Sequence, residues 1–290
     1  MTAGFVVNPS REAAVQCAGE LARWLLARGV SMRLQEAVAP LIGLEAHAAS
    51  DQAVGAADFV VALGGDGTIL SASRITAPYD TPILGIHVGG PASFGFLTES
   101  APSHAVEALE RVLDGRYRVD ERIMVSAAVV RDGRPAGTFN ALNDLVIAKG
   151  ALARLLNMKI YVGDTFIATY AADGIIVATP TGSTAYNLAA GGPLVHPTVR
   201  VIILTPICPH TLNVRSLLIG EEERARVVVV TDPRDVARLT VDGQVGFELR
   251  PGDVVEFARA ACRTRFILVD GANFYHKLQT RLRLGERFGT

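Results

Sequence analysis

The sequence predicts an α/β unit built on a parallel, doubly wound sheet, followed by a mostly antiparallel, β-rich unit. Up to about residue 120, short apolar runs alternate with amphipathic helical stretches, the pattern of strands paired through crossover helices. Beyond it come short β-rich runs separated by Asp-Gly and Gly-Asp pairs, which signal hairpins. The 290 residues are 49% hydrophobic and 20% charged, which supplies core material for two domains and argues against disorder.

Phe5 to Pro9 reads as a short buried strand, after which Ser10 is placed to cap a helix. The apolar face of that helix takes in Ala14, Cys17, Ala18, Leu21, Trp24 and Leu25, and Gly29 fits its carboxyl end. Met32 and Leu34 suggest a second strand, and the alanine-rich stretch to Ala57 has room for a short helix. Asp58 to Leu63 and Ile83 to Val88 are further strands. Ser103 is placed to cap a helix with Val106, Leu109, Val112 and Leu113 inward, ended by Gly115. The β-rich runs are Met124–Val130, Ala141–Ile147, Asn157–Val162, Phe166–Tyr170, Ile175–Ala178, Val227–Val230, Val236–Val241, Val254–Phe257 and Arg265–Val269. From Ala272 the pattern is helical again, with Phe274, Leu278 and Leu282 on one stripe. The expected division is therefore 1–120 with 271–290, and 121–270.

Composition excludes several classes. A net charge of −1 argues against a protein that grips nucleic acid through phosphates. Three cysteines, Cys17, Cys208 and Cys262, stand far apart with no C-x-x-C, against a disulfide framework or zinc site and in favour of a reducing cytoplasm. No apolar run approaches the roughly 20 residues of a membrane span, and no signal peptide is evident. The six histidines are scattered without ligand spacing, so no metal site built by the protein is expected. There is no G-x-x-x-x-G-K-[ST] loop, no G-x-G-x-x-G fingerprint and no G-x-S-x-G elbow.

Four stretches carry chemistry. Val60 to Leu63 runs into Gly64-Gly65-Asp66-Gly67-Thr68, where a strand ends in a turn with bare N–H groups and one carboxylate. A helix starting at Thr68 would aim its positive end at the same point. Taken alone, this turn fits an ordinary strand-to-helix connection as well as a phosphate site. Asn143-Asp144 lies inside an apolar run, so at least one of the two side chains is expected to face inward, where an unpartnered polar group costs roughly 1–3 kcal/mol. Thr179 to Asn187 gathers hydroxyls, an amide and Tyr186 around a Pro-Gly loop, with a helix expected near Ser183. Gly85 to Leu97 is a glycine-rich loop after a strand.

With these stretches in order, the sequence resembles the NAD kinase family over most of its length. The resemblance is carried by Gly64 to Thr68 with Arg74, by Leu142-Asn143-Asp144, by Ala172-Asp173-Gly174 and by Thr179 to Asn187. It continues through Gly191-Gly192-Pro193, Leu204 to His210 and Val241-Asp242-Gly243-Gln244. The G-G-D-G element is shared with lipid and sphingoid kinases and with phosphofructokinases. The T-P-T-G-S-T-A-Y block with L-T-P-I-C-P-H is far more specific, and resembles the bacterial branch.

The resemblance implies transfer of a phosphoryl group from ATP or polyphosphate to the 2′-hydroxyl of the adenosine ribose of NAD. It implies Asp66 as general base and Gly67 in the same site. Asn143, Asp144, Arg154, Asp173, Thr184, Ala185, Tyr186, Asn187 and Gln244 fall on dinucleotide-binding positions. It further implies a divalent ion (Mg²⁺ or Mn²⁺) arriving with the donor, a homodimer or homotetramer, and no nucleic-acid or membrane partner. The implied fold is a Rossmann-like first domain, an all-β second domain and a final helix returning to the first. Two positions depart from the family's pattern. His87 stands in place of an Asn, with extra residues before Gly95-Phe96-Leu97, and Ala171 stands where many relatives carry a cation. A lipid or sphingoid kinase and a dinucleotide sensor without turnover are the alternative readings.

Overall fold

Two compact units make up the chain, Met1–Glu121 with Arg263–Thr290 and Arg122–Cys262. The computed structural model describes residues 1–89, 95–98, 100–150, 155–210, 213–230, 237–269 and 274–282.

The first unit opens with β1 (Thr2–Val7), α1 (Glu12–Leu26), β2 (Ser31–Gln35), β3 (Ala48–Ala49) and α2 (Asp51–Gly55). It continues with β4 (Phe59–Gly64), α3 (Asp66–Thr76), β5 (Pro82–His87) and α4 (Ala105–Leu113). The strands run in the order β5-β4-β1-β2-β3, and every pairing is parallel. All six residues of β4 are buried, as a central strand covered on both faces must be. Ala14, Cys17, Ala18, Leu21 and Leu25 of α1 pack into the same core as Phe5, Leu63, Leu84 and Leu109.

Helix starts differ from the sequence expectation in an instructive way. The Asn8 side chain accepts the Ser10 N–H at 3.0 Å, so the chain makes an Asx turn after β1. Helix α1 therefore begins at Glu12, with Arg11 at its cap and no side-chain cap bond. Ser103 lies in a 3-10 turn over Pro102–His104, which places His104 at the cap of α4 and turns Val106 outward. Gly29 and Gly115 do take left-handed backbone past their helix ends.

The second unit runs through β6 (Arg118–Arg131, entering this unit at Arg122), β7 (Arg134–Ala141), β8 (Asp144–Lys149), β9 (Leu156–Val162) and β10 (Thr165–Ala172). After it come β11 (Gly174–Ala178), α5 (Tyr186–Ala189), β12 (Val201–Ile207), β13 (Leu217–Gly220) and β14 (Ala225–Val229). The unit ends with β15 (Ala237–Val241), β16 (Val245–Leu249) and β17 (Val254–Leu268). One sheet has the order β13-β12-β11-β8-β15-β16, entirely antiparallel. Strands β10, β9, β14 and the start of β17 form a second antiparallel array, and β6 pairs with β7. The expected hairpin turns are present. Asp132-Gly133 and Asp242-Gly243 both have positive φ at the two central residues, as a type I′ turn requires.

The six-stranded sheet is apolar on both faces. Leu145, Ile147, Ile175 and Val177 face the main core of this unit, whereas Val146, Ile176, Ala178 and Ile203 face a smaller cluster with Val195. The end of β17 pairs in parallel with β5 through Arg265 and Phe266, so its last residues belong to the first unit. The final helix α6 (Phe274–Leu282) belongs to the same unit and buries Leu278. Among the described residues, no helix is long and apolar enough to cross a membrane.

Candidate active site

In the first unit, β4 delivers the chain to Gly64 at the carboxyl edge of the parallel sheet, where open α/β folds bind ligands. Gly64 is required there by contact. A Cβ on it would stand 2.2 Å from Thr68 Oγ1 and 2.9 Å from Thr68 Cβ. Helix α3 begins at Asp66 rather than at Thr68, with Gly65 at its cap, so the carboxylate itself occupies the first turn. Placement there is favourable, because the unbonded N–H groups of a helix start attract negative charge.

Asp66 is held from the far side of the turn. Its Oδ2 accepts the Phe96 N–H at 2.9 Å and its Oδ1 accepts the Leu97 N–H at 3.2 Å. Gly95 allows this approach, since a Cβ there would lie 3.1 Å from Asp66 Oδ1 and 3.2 Å from His87 Nδ1. Burial raises the proton affinity of Asp66 above the ordinary carboxylate range. The two amides and the charges of Lys277 and His87 oppose that shift without cancelling it. A cavity of about 660 Å³ opens beside it, lined by Asn8, Arg11, Gln35, Gly67, Ser71 and His87 among others. That volume lies in the range of small-molecule sites.

In the second unit the expected dinucleotide positions fall into two groups. Asn143 and Asp144 begin β8. Asp242 in the β15–β16 turn accepts the N–H groups of Leu142, Asn143 and Asp144 at 3.1, 2.8 and 3.2 Å. The Asp242 N–H returns to the Asp144 carbonyl at 2.9 Å. Asp144 is buried beside this second carboxylate. Desolvation first and the Asp242 charge second push it up to about 7.

The loop after β11 closes on Asn143. The Thr179 N–H donates to the Asn143 carbonyl at 2.9 Å, and the Thr179 hydroxyl donates to the Leu142 carbonyl at 2.5 Å. Ser183 exchanges two hydrogen bonds with the Val195 backbone, both 3.1 Å. The fully buried Asn187 amide donates to the Ser183 and Pro193 carbonyls and accepts from the Thr205 hydroxyl at 2.7 Å. Those groups hold the loop. Thr184 and Ala185 are half-buried and Tyr186 is exposed. The helix expected near Ser183 is a 3-10 turn over Thr181–Thr184 followed by the four residues of α5, too short for a helix-end anion site.

Asp173 stands at the other end of β11. Ala178 pairs with Asp144 while Gly174 pairs with Ala148, so roughly 20 Å of strand separates Asp173 from Thr179. Its Oδ1 is 2.7 Å from Lys149 Nζ. Gln244, in the β15–β16 turn, is exposed and donates its N–H to the Val241 carbonyl. Arg154 lies outside the described residues. Sequence reasoning did not assign the parts played by Asp242, Lys149 and the Phe96 and Leu97 amides. Asp242 was within reach, because an Asp-Gly hairpin turn places its carboxylate beside the neighbouring strand end.

The fold and the acidic turn define a two-unit α/β and all-β protein with a carboxylate beside a cavity of about 660 Å³. Comparison with known proteins gives this class a family. Residues 3–117 match the ATP-NAD kinase N-terminal domain and residues 142–269 the ATP-NAD kinase C-terminal domain. A curated NAD kinase of Symbiobacterium thermophilum is 44% identical over 279 residues, spanning 96% of this chain and 97% of the relative. One from Caldanaerobacter subterraneus subsp. tengcongensis is 41% identical over 280 residues, spanning 96% and 98%.

Two solved structures share the fold. The yeast NADH kinase complexed with NADH superposes with a TM-score of 0.92 at 24% identity, covering 100% of this chain and 89% of the other. An Archaeoglobus fulgidus NAD kinase in complex with ATP gives 0.74 at 24% identity, covering 98% and 99%. The chain belongs to the NAD kinase family and is an enzyme of that family. Membership does not favour the lipid-kinase or sensor alternatives.

Proposed function

We propose that this enzyme transfers the γ-phosphoryl group of ATP to the 2′-hydroxyl of the adenosine ribose of NAD, giving NADP, with Asp66 as general base. The observation that supports this best is the Asp66 carboxylate itself. It is partly buried, gripped by two backbone amides and set on the wall of a cavity of about 660 Å³. A ribose hydroxyl is a weak nucleophile, so a carboxylate that takes its proton as attack proceeds is worth roughly 10²–10⁴ in rate. Burial raises its proton affinity, which makes its carboxylate a stronger base than that of an exposed aspartate.

The remainder of the catalysis is positioning. Gly67 lines the same cavity in the first turn of α3, where donor phosphates would lie, and in-line transfer depends on fixing attacking and leaving oxygens. Asn143 and Asp144 bind the adenosine ribose, and Thr184, Ala185, Tyr186 and Gln244 contribute to dinucleotide contact, with Asn187 holding their loop. Asp144, titrating near 7, is able to donate as well as accept a hydrogen bond toward a ribose hydroxyl. Asp173, just before β11, contributes to dinucleotide contact, and the enzyme assembles as a homodimer or homotetramer. Free thiols at Cys17, Cys208 and Cys262 support a cytoplasmic setting.

The divalent ion, Mg²⁺ or Mn²⁺, enters with the donor's phosphates. Among the described residues there is no group of three or more His, Cys, Asp or Glu side chains that could hold a metal ion. Incubation of the purified enzyme with NAD, Mg²⁺ and either ATP or polyphosphate tests the reading. NADP is the expected product, and binding of NAD with no product under either donor would overturn it.

A further inference from the structure

The final helix sends Lys277 to the segment that holds Asp66. Lys277 Nζ donates to the Phe96 carbonyl at 3.2 Å and to the Thr98 carbonyl at 3.3 Å. The amides of Phe96 and Leu97 are the two donors that hold the Asp66 carboxylate. One short segment is therefore gripped at its carbonyls by α6 and gives its amides to α3. Asp66, Phe96, Thr98 and Lys277 all belong to the first unit. We infer that Lys277 is a positioning residue for phosphoryl transfer, fixing residues 96–98 so that their amides present Asp66 to the acceptor hydroxyl.

The inference rests on the reading of Asp66 as base and adds the element that holds that base in place. Lysine suits the task because an ammonium has three donors on a flexible stem and so bridges two carbonyls. Lys277 is half-buried, and its charge also acts on Asp66 directly, lowering a proton affinity that burial raises. Among the described residues, His87 at the end of β5 also acts on Asp66, and Arg11, before α1, lines the same cavity with its guanidinium on the Val88 carbonyl at 3.0 Å. A helix whose only task was to cover apolar surface through Leu278 would need no cation at this position.

The test compares full-length wild type with Lys277→Met, Lys277→Gln and Lys277→Arg by steady-state kinetics with NAD and ATP across pH, beside Asp66→Asn. Lys277→Met is expected to lower kcat roughly ten- to a hundredfold, the scale of a misplaced reacting group. It should leave the KM for NAD within about twofold and move the acidic limb of the kcat profile to higher pH, since Asp66 loses a neighbouring positive charge. Lys277→Arg restores most of kcat and returns the limb. Should the Met variant fail to fold, the Gln variant keeps a donor, lacks the charge and is expected to show the same limb shift. A melting temperature lowered with kcat and limb unmoved would overturn the inference and leave only a structural role. Wild-type turnover by Asp66→Asn would overturn the base assignment instead, so the two failures are distinct.

Discussion

Gly182 lies directly against the backbone of Asn143, so closely that a Cβ on it would stand 2.1 Å from the Asn143 carbonyl oxygen and 2.5 Å from its carbonyl carbon. The neighbour is backbone, and it is already fixed by the Thr179 N–H on one side and the Asp242 carboxylate on the other. The loop therefore has no inexpensive way to retreat.

Gly182→Ala is expected to destabilise the second unit by roughly 1–3 kcal/mol, the usual cost of overpacking a filled site. It should weaken NAD binding at the same time, because the displaced residue is Asn143. A thermal melt and an NAD titration check both. An unchanged melting temperature would mean that the close approach is not a constraint in solution.

Asp144 makes stability depend on pH in a direction opposite to that of a salt-bridged carboxylate. Its folded value of about 7 lies above the ordinary carboxylate value near 4. Between those values the folded chain keeps a proton that the unfolded chain has released. The contribution of this group is thus fully present below about pH 4 and is lost as pH rises toward 7. Asp144→Asn cannot ionise, so the fall in melting temperature between about pH 4.5 and 7.5 should be shallower than in wild type. Parallel curves would contradict the assignment.

Lys149 and Asp173 form a pair in which each side chain is about a third exposed, at 30% and 34%. Such a pair adds less than about 1 kcal/mol to stability. Lys149→Met should accordingly leave the melting temperature nearly unchanged. If the ammonium orients Asp173 toward the dinucleotide, the KM for NAD rises by roughly three- to tenfold, equivalent to about 1 kcal/mol of binding. Kinetics at varied NAD decide this, and an unchanged KM would reduce the pair to a surface contact.

Much of the first unit was legible because local chemistry and fold agree there. Uniformly apolar β4 must be a central strand, and glycines after it must be a turn. What escaped the sequence was competition between caps. The Asn8 turn moves the helix start past Ser10, which was expected to cap it, and the 3-10 turn at Pro102 displaces Ser103. In the second unit, Asp-Gly pairs located the hairpins. Strands β7, β13 and β16 went unread because each is short or polar on one face and gains its identity from its partner. Strand β12 went unread as a strand because Pro206 and its neighbours read as a motif. The long β17 read as two runs because charged residues interrupt it at Arg259 and Arg263.

The candidate site shows the same divide. Which residues carry chemistry was visible in their types: Asp66 among glycines, Asn143-Asp144 in an apolar run, hydroxyls around Gly182. Which of those hydroxyls are structural was not visible, because the partners of Thr179 and Ser183 are backbone groups at Leu142 and Val195, brought in by the fold. Lys277 was hidden for the same reason, since its partners lie some 180 residues earlier in the chain.

The central claim is that one carboxylate, Asp66, takes the proton from the acceptor hydroxyl. Asp66→Asn keeps the size of the side chain and removes the basicity. The account predicts that kcat with NAD and ATP falls by about two to four decades. NAD affinity measured by titration is predicted to stay near the wild-type value. Turnover close to wild type in that variant would contradict it.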